Sequence, residues 1–256
     1  MRIVSLNCSS TEIVCALGCA EWLVAVDNHS DFPAAVVQPL PRVGPDLTPD
    51  IAKVAAHQPD LVLASLTVPG HEKVIAQLQQ AGLPHMVLDP VSLADIEQDI
   101  LQIARHLEVE SRGNALVRRM RQAMPNRTVL GQRPSVLVEW WPKPVIVPGK
   151  LSWVTDMLRR AGGRNPLEEF NGKSRPLEPA ELTELEVDAV VISWCGVPTN
   201  KYRTGVVTAR PDWQHLPAIR EGRVHPVAEA FLGRPGPRVV DGYQAFCGIV
   251  DACRSR

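Results

Sequence analysis

SLADIEQDILQIARHLEVESRGNALVRRMRQAM, residues 92–124, decides how the rest of the chain is read. Ile96, Ile100, Ile103, Ala104 and Leu107 recur at helical spacing, and Leu116, Met120 and Met124 continue the apolar stripe. Arg118, Arg119 and Arg121 cluster on its later part. A helix rises about 1.5 Å per residue, so the portion from Glu110 to Met124 extends roughly 22 Å, enough to cross one lobe and hand the chain to another. On either side strands alternate with helices, and each half opens on a strand of the fully buried kind, residues 2–6 and then 135–139. The expected fold is α/β: two lobes, residues 1–105 and 129–256, joined by a stiff helix within residues 106–128, with a ligand cleft between them. The same run also suits one more crossover helix in a single continuous sheet.

The bulk chemistry narrows the function classes. The 256 residues suffice for two lobes of ordinary size, and a hydrophobic content of 45% supplies their cores. A formal net charge of −1 offers no field for nucleic acid or an anionic membrane surface. Nowhere do eighteen apolar residues run together, so no membrane insertion is expected. The six Trp against two Tyr and four Phe concentrate large rings in few places, which directs attention to a planar ligand. The six Cys follow no zinc-ribbon spacing and no small disulfide framework. Free thiols behind no recognisable export signal suit a reducing, cytoplasmic setting; a signal already removed would place the chain in the periplasm instead.

In the first half, the strand at 2–6 leads into Asn7-Cys8-Ser9-Ser10, expected as a loop before a helix from about Thr11 to Leu17. That loop lies at the carboxyl end of a strand, where open α/β sheets hold ligands, so Cys8, Ser9 and Ser10 are candidate contacts; Ser9 or Ser10 also suits a helix cap. Cys8 reads equally as a small buried thiol. A second strand at 22–26 opens into Asp27-Asn28-His29-Ser30-Asp31-Phe32-Pro33, and a third, at 61–64, ends at Ser65. Helices are expected at 49–57 and 69–80.

In the second half, the strand at 135–139 breaks at Trp140-Trp141-Pro142. Alternation along a strand sends adjacent side chains to opposite faces, so one of Trp140 and Trp141 can pack while the other meets a ligand. Trp153 starts a helix reaching about Ala161, and a helix is expected at 178–185. The strand 187–193 delivers Trp194 and Cys195 to its carboxyl end. Residues 228–232 read as an irregular loop, and Arg234-Pro235-Gly236-Pro237-Arg238 precedes a closing helix at 239–253.

These residues carry a resemblance. Residues 2–6 with Ser10-Thr11-Glu12-Ile13 and Ala16-Leu17-Gly18, then Ser30-Asp31-Phe32-Pro33, Pro41-Arg42-Val43-Gly44 and Gln58-Pro59-Asp60-Leu61, stand in the order and spacing of the helical-backbone (class III) ABC-transporter substrate-binding proteins. Glu139-Trp140, Pro148-Gly149, Trp153, Ala161-Gly162-Gly163, Cys195-Gly196, Trp213 and the Arg234–Arg238 segment are similar to the vitamin B12-binding branch of that family. The resemblance implies two Rossmann-like lobes bridged by a rigid helix, little hinge motion, and cobalamin held in the cleft under aromatic and loop residues. His29 then falls where the family has an aromatic near the ligand, Trp140 or Trp141 on the second-lobe aromatic, and Phe231 on the aromatic before the last helix. An imidazole at that place could ligate cobalt or meet the macrocycle edge. The family's two transporter-docking Glu would fall on Ala52 and Gly233, neither acidic, with Asp50 and Glu229 nearby. An ABC permease is therefore a conditional partner, and the expected role is that of a carrier, store or transport component for a tetrapyrrole-type ligand.

Two other classes compete. Haem or an iron–siderophore would suit the same fold, an anionic siderophore wanting cations such as Arg42 and Arg234. A chelatase-like or glycosyltransferase-like enzyme would need a nucleophile set or a phosphate loop; no Gly-x-Gly-x-x-Gly or phosphate-loop Lys follows a strand, so no catalysis is expected.

Overall fold

The strands β1 (Ile3–Ser5), β2 (Leu23–Val26), β3 (Leu61–Ser65) and β4 (His85–Leu88) pair in parallel in the order β2-β1-β3-β4. They belong to a computed structural model that describes residues 1–255, the side chains of Pro179 and Leu182 excepted. Ile3, Val4, Val62 and Leu63 are fully or almost fully buried, as expected of strands covered by helices on both faces. The crossovers carry α1 (Cys8–Ala16), α2 (Ala34–Val37), α3 (Ile51–Ala56) and α4 (His71–Gln80). The chain leaves β1 to form β2 on one side, then returns past β1 to form β3 on the other. That reversal is the point where such sheets gather ligand-binding loops.

The run that decided the reading is two helices, α5 (Leu93–His106) and α6 (Glu110–Ala123). Glu108 takes the left-handed conformation (φ 57°), and the N–H groups of Glu108 and Val109 donate to the carbonyls of Arg105 and Ala104 at 3.1 and 2.8 Å. This closes α5 as a glycine would. The chain divides into two compact units, residues 1–90 with 94–119 and residues 91–93 with 120–256, so α6 begins in the first and ends in the second. At fourteen residues α6 is about 21 Å long.

The second unit holds the remaining strands, β5 (Val136–Glu139), β6 (Trp141–Pro142), β7 (Val145–Pro148), β8 (Ser174–Pro176), β9 (Ala189–Ile192) and β10 (Val224–Pro226). β10-β9-β5 is a parallel sheet and β6-β7-β8 an antiparallel one. α7 (Trp153–Arg160), α8 (Thr204–Thr208), α9 (Pro217–Arg220), α10 (Glu229–Leu232) and α11 (Val239–Arg254) complete it. The fold class is as expected: mixed α/β, two units, each built on a parallel sheet.

Three local expectations are corrected. Residues 7–10 are not a loop: α1 starts at Cys8, and Asn7, not Ser9 or Ser10, caps it by accepting from the Ser10 N–H at 2.8 Å. Residues 179–183 form a 3-10 turn in place of the α-helix expected at 178–185. Arg175, arriving on β8, grips Glu181 (2.6 Å between Nη1 and Oε2), and Glu181 also accepts the Glu178 N–H at 2.9 Å, which tightens the turn. The stretch read as an irregular loop is the one-turn helix α10, too short to register as a periodic pattern.

α5 and α6 meet at Gly113, where a Cβ would stand 2.5 Å from the Ala104 Cβ. Alanine gains about 1 kcal/mol over glycine in a helix interior. Forcing a methyl into a filled contact costs about 1–3 kcal/mol. Gly113→Ala is therefore expected to lower stability in urea unfolding, against its helix propensity; an increase would mean that the two helices separate freely.

Candidate functional site

Two strand edges are described, one in each unit. In the first, Asp27 follows β2 and is fully buried. Its carboxylate accepts from the Ser30 hydroxyl and, at 2.8 Å, from the His29 N–H; the Thr11 hydroxyl lies 2.8 Å from that of Ser30. Burial pushes the Asp27 carboxyl up, and the hydrogen bonds from Ser30 and His29 oppose that shift. Arg42 holds the same loop from outside, its Nη1 donating to the carbonyls of Asp27 (2.8 Å) and Ser30 (2.7 Å) and its Nη2 to that of Val37 (3.1 Å). The loop is thus fixed, while the His29 side chain stays 58% exposed.

The His29 Nε2 lies 3.8 Å from the Asp46 Oδ1, and the other oxygen of Asp46 lies 3.3 Å from the Nε2 of buried His71. The Nδ1 of His71 accepts from the Val68 N–H at 3.4 Å, which leaves the hydrogen on Nε2, facing Asp46. The hydrogen bond from His71 holds the Asp46 carboxyl below its ordinary value of 3.8, with burial opposing. Phe32, Leu47 and Val68, near these polar groups in sequence, are exposed at 45%, 42% and 41%.

Of the other candidates here, Cys8 and Ser9 are half-buried in the first turn of α1, with the Ser9 hydroxyl donating to the Asn7 Oδ1 at 2.8 Å. Ser10 is fully buried. Ser65 ends β3, 8% exposed, its hydroxyl 2.8 Å from that of Thr67.

In the second unit the last residue of β5, Glu139, is fully buried. It accepts Arg210 through both oxygens (2.6 and 3.0 Å) and the Trp194 indole N–H at 2.8 Å. The Arg210 guanidinium stacks 4.4 Å from the ring centroid of buried Trp213. Trp194, expected to face a ligand, is 6% exposed and packs on Tyr202 with ring centroids 5.5 Å apart. Cys195 is exposed. Trp140 is half-buried, its N–H bonded to the Ile146 carbonyl at 2.8 Å, while Trp141 on β6 is 42% exposed. Trp153 donates its indole N–H to the Leu232 carbonyl at 2.6 Å. Phe231 is half-buried beneath the Arg238 guanidinium (5.7 Å), and Arg234 bonds to Glu229 at 3.2 Å.

Glu229 is thus an ion-pair partner in the free protein, and Asp50 caps α3 through the Lys53 N–H at 3.1 Å. A groove of about 600 Å³ in this unit is lined by Pro134, Asp188 and Arg254 among others, at the amino ends of β5 and β9 and away from every candidate. Among the described residues no group of three or more His, Cys, Asp or Glu side chains could hold a metal ion, and no helix is long and apolar enough to cross a membrane. Sequence reasoning missed Asp46, His71, Arg210 and the role of Glu139; none of them stands within fifteen residues of its partner, so no local pattern joins them.

The chain belongs to the periplasmic binding protein family, whose sequence model matches residues 3–227. It is 27% identical over 252 residues, 95% of this chain and 77% of the relative, to the ABC transporter substrate-binding lipoprotein YvrC of Bacillus subtilis. It is 24% identical over 250 residues, 96% of this chain and 88% of the relative, to the vitamin B12-binding protein of Vibrio parahaemolyticus. Among solved structures, the apo periplasmic haem-binding protein RhuT of Roseiflexus sp. RS-1 superposes with a TM-score of 0.82 at 26% identity, covering 98% of each chain. The family is one of solute binders, in general without catalysis. The expected cytoplasmic setting finds no support, since the relatives are lipoprotein or periplasmic binding proteins.

Removing Arg210 would leave Glu139 charged and buried, at a cost of about 3–5 kcal/mol. Arg210→Ala is expected to lower the urea midpoint sharply, and adding Glu139→Gln to recover part of the loss; equal midpoints for the single and double variants would show that the pair is not what holds this edge. Asp46 has a depressed folded-state pKa, so its stabilisation is complete above about pH 4 and is lost as pH falls through the lower folded value. Asp46→Asn is expected to be less sensitive to acid than the parent in melting curves taken between pH 5 and 2.

Proposed function

We propose that this chain is the substrate-binding component of an ABC importer and that its cargo is a metal tetrapyrrole, cobalamin by first choice. What carries the reading is His29, its exposed imidazole near Asp46 in the loop at the carboxyl edge of a parallel sheet, with exposed Phe32, Leu47 and Val68 on the loops that supply His29, Asp46 and the Val68–His71 hydrogen bond. Such a surface offers a flat macrocycle apolar contact and one polar point of recognition. The second unit, by itself, has exposed Trp141, half-buried Trp140, Trp153 and Phe231, the Cys195 thiol and Arg234 at its own strand and loop ends. Trp194 acts behind them, through Glu139 and Arg210. Cys8, Ser9, Ser10 and Ser65 line the start of α1 and the end of β3. The vitamin B12-binding relative supports cobalamin. Haem is the second reading, supported by the 26%-identical haem-binding structure and by the Arg234 and Arg238 guanidiniums, which suit carboxylates.

The partner under this reading is the membrane permease. Glu229 would dock only on exchanging Arg234 for an arginine of the partner.

Titration with cyanocobalamin, hydroxocobalamin and haemin, followed by tryptophan fluorescence and the visible spectrum, tests the proposal. Cobalamin is expected to bind and quench the tryptophans. Trp141→Ala is expected to weaken it about tenfold, the worth of one partly buried ring. Binding of haemin alone would select the second reading; no binding of any of the three would end both.

A further inference from the structure

His29, Asp46 and His71 form a relay that no catalytic or metal-holding role explains. Asp46 lies between the two imidazoles, 3.3 Å from His71 and 3.8 Å from His29. His71 is 95% buried at its side chain and is anchored in turn by the Val68 N–H. The inner end of the relay is therefore rigid and the outer end, His29, is free to turn. The 3.8 Å separation is somewhat longer than a hydrogen bond, and a small rotation of the exposed imidazole brings it to hydrogen-bond length. The backbone N–H of His29 is already held by Asp27, which fixes the base of the side chain. Its Nδ1 has no partner among the described residues.

We propose, building on the cobalamin reading above, that Asp46 is a positioning residue for His29. It draws Nε2–H of the neutral imidazole inward and turns the Nδ1 lone pair outward, to accept a hydrogen bond from a carboxamide N–H at the rim of the corrinoid. A carboxylate fixes the tautomer of a histidine in this way wherever it holds one ring nitrogen. Nδ1 sits next to the Cβ-bearing carbon, so a metal bound there would drive a flat macrocycle into the histidine's own Cβ and backbone. Rim recognition needs no such approach. The surroundings agree: the Asp46 carboxylate lies beside His29, and the Arg42 N–H groups that would grip a carboxylate are occupied by backbone carbonyls. This edge suits N–H donors over carboxylates.

A double-mutant cycle on cyanocobalamin affinity tests the relay. His29→Ala and Asp46→Ala are each expected to weaken binding on the order of tenfold, the worth of one buried hydrogen bond, and the double variant no more than either alone. Additive losses would assign Asp46 a structural role and overturn the proposal. Asp46→Asn, which keeps one acceptor oxygen, is expected to bind between Asp46→Ala and the parent, since that oxygen can serve His29 or His71 but not both from their opposite sides, and serves should Asp46→Ala melt at the assay temperature. The band positions of bound hydroxocobalamin are expected to be the same in the parent and in His29→Ala; a shift confined to the parent would show imidazole on cobalt and overturn the rim contact. Parent protein that binds no cobalamin would remove the underlying reading, whereas binding without coupling removes only the relay.

Discussion

Each unit hangs its loop edge from one fully buried carboxylate at the end of a strand, Asp27 after β2 and Glu139 at the end of β5. An ionised carboxylate taken out of water costs several kcal/mol unless charge or donors replace the lost hydration. The two sites meet that demand differently. Glu139 has a guanidinium on both oxygens and an indole N–H besides. Asp27 has a hydroxyl and a backbone N–H and, among the described residues, no cation in direct contact, and burial pushes its carboxyl up. In both cases the donors come from the loops that a ligand would meet. Satisfying the carboxylate and shaping the edge are one event: Ser30 and His29 are fixed by Asp27, and Trp194 and the segment carrying Arg210 by Glu139.

That constraint explains why Trp194 and Trp141 fare differently although both follow parallel strands of the same unit. The indole N–H of Trp194 reaches Glu139, and its ring packs at a tilt of 59° against that of Tyr202, so the residue is part of the core. Trp141 lies on the short antiparallel β6, opposite Ile146, and alternation leaves its ring at the surface while Trp140 turns partly inward. A buried tryptophan shapes an edge from behind, whereas an exposed one is open to a ligand.

The alternation of apolar runs with helical stripes made the strands and the closing helix legible: β3 and α11 stand within about two residues of their expected ends. Failures came where tertiary contacts, absent from a one-dimensional pattern, chose the backbone. Glu108 breaks the central run without a glycine or proline to announce it. Asn7 outcompetes two serines for the cap because the helix starts earlier than its apolar stripe. For the candidate site, family spacing alone points to His29 and the tryptophan pair, but Glu139 and Arg210 are 71 residues apart and Asp46 and His71 are 25 apart. Only the fold brings such pairs together.

The same contacts bear on affinity. Binding loses much of its energy when loops must be ordered on contact, and pre-ordered loops avoid that loss. The 27–30 loop is held by Asp27 from within and Arg42 from without before any ligand arrives, so only the side chain of His29 remains to be set. Arg42, which by charge alone would draw a carboxylate-bearing cargo, is turned to three carbonyls and serves the loop instead. In the second unit Arg234 and Arg238 stand against Glu229 and Phe231. A dicarboxylate such as haem would have to break or share those contacts, whereas a corrinoid rim lined with carboxamides would not. Under the proposed reading, what each arginine already holds, more than how many there are, bears on the cost of taking a carboxylate-bearing cargo at either edge.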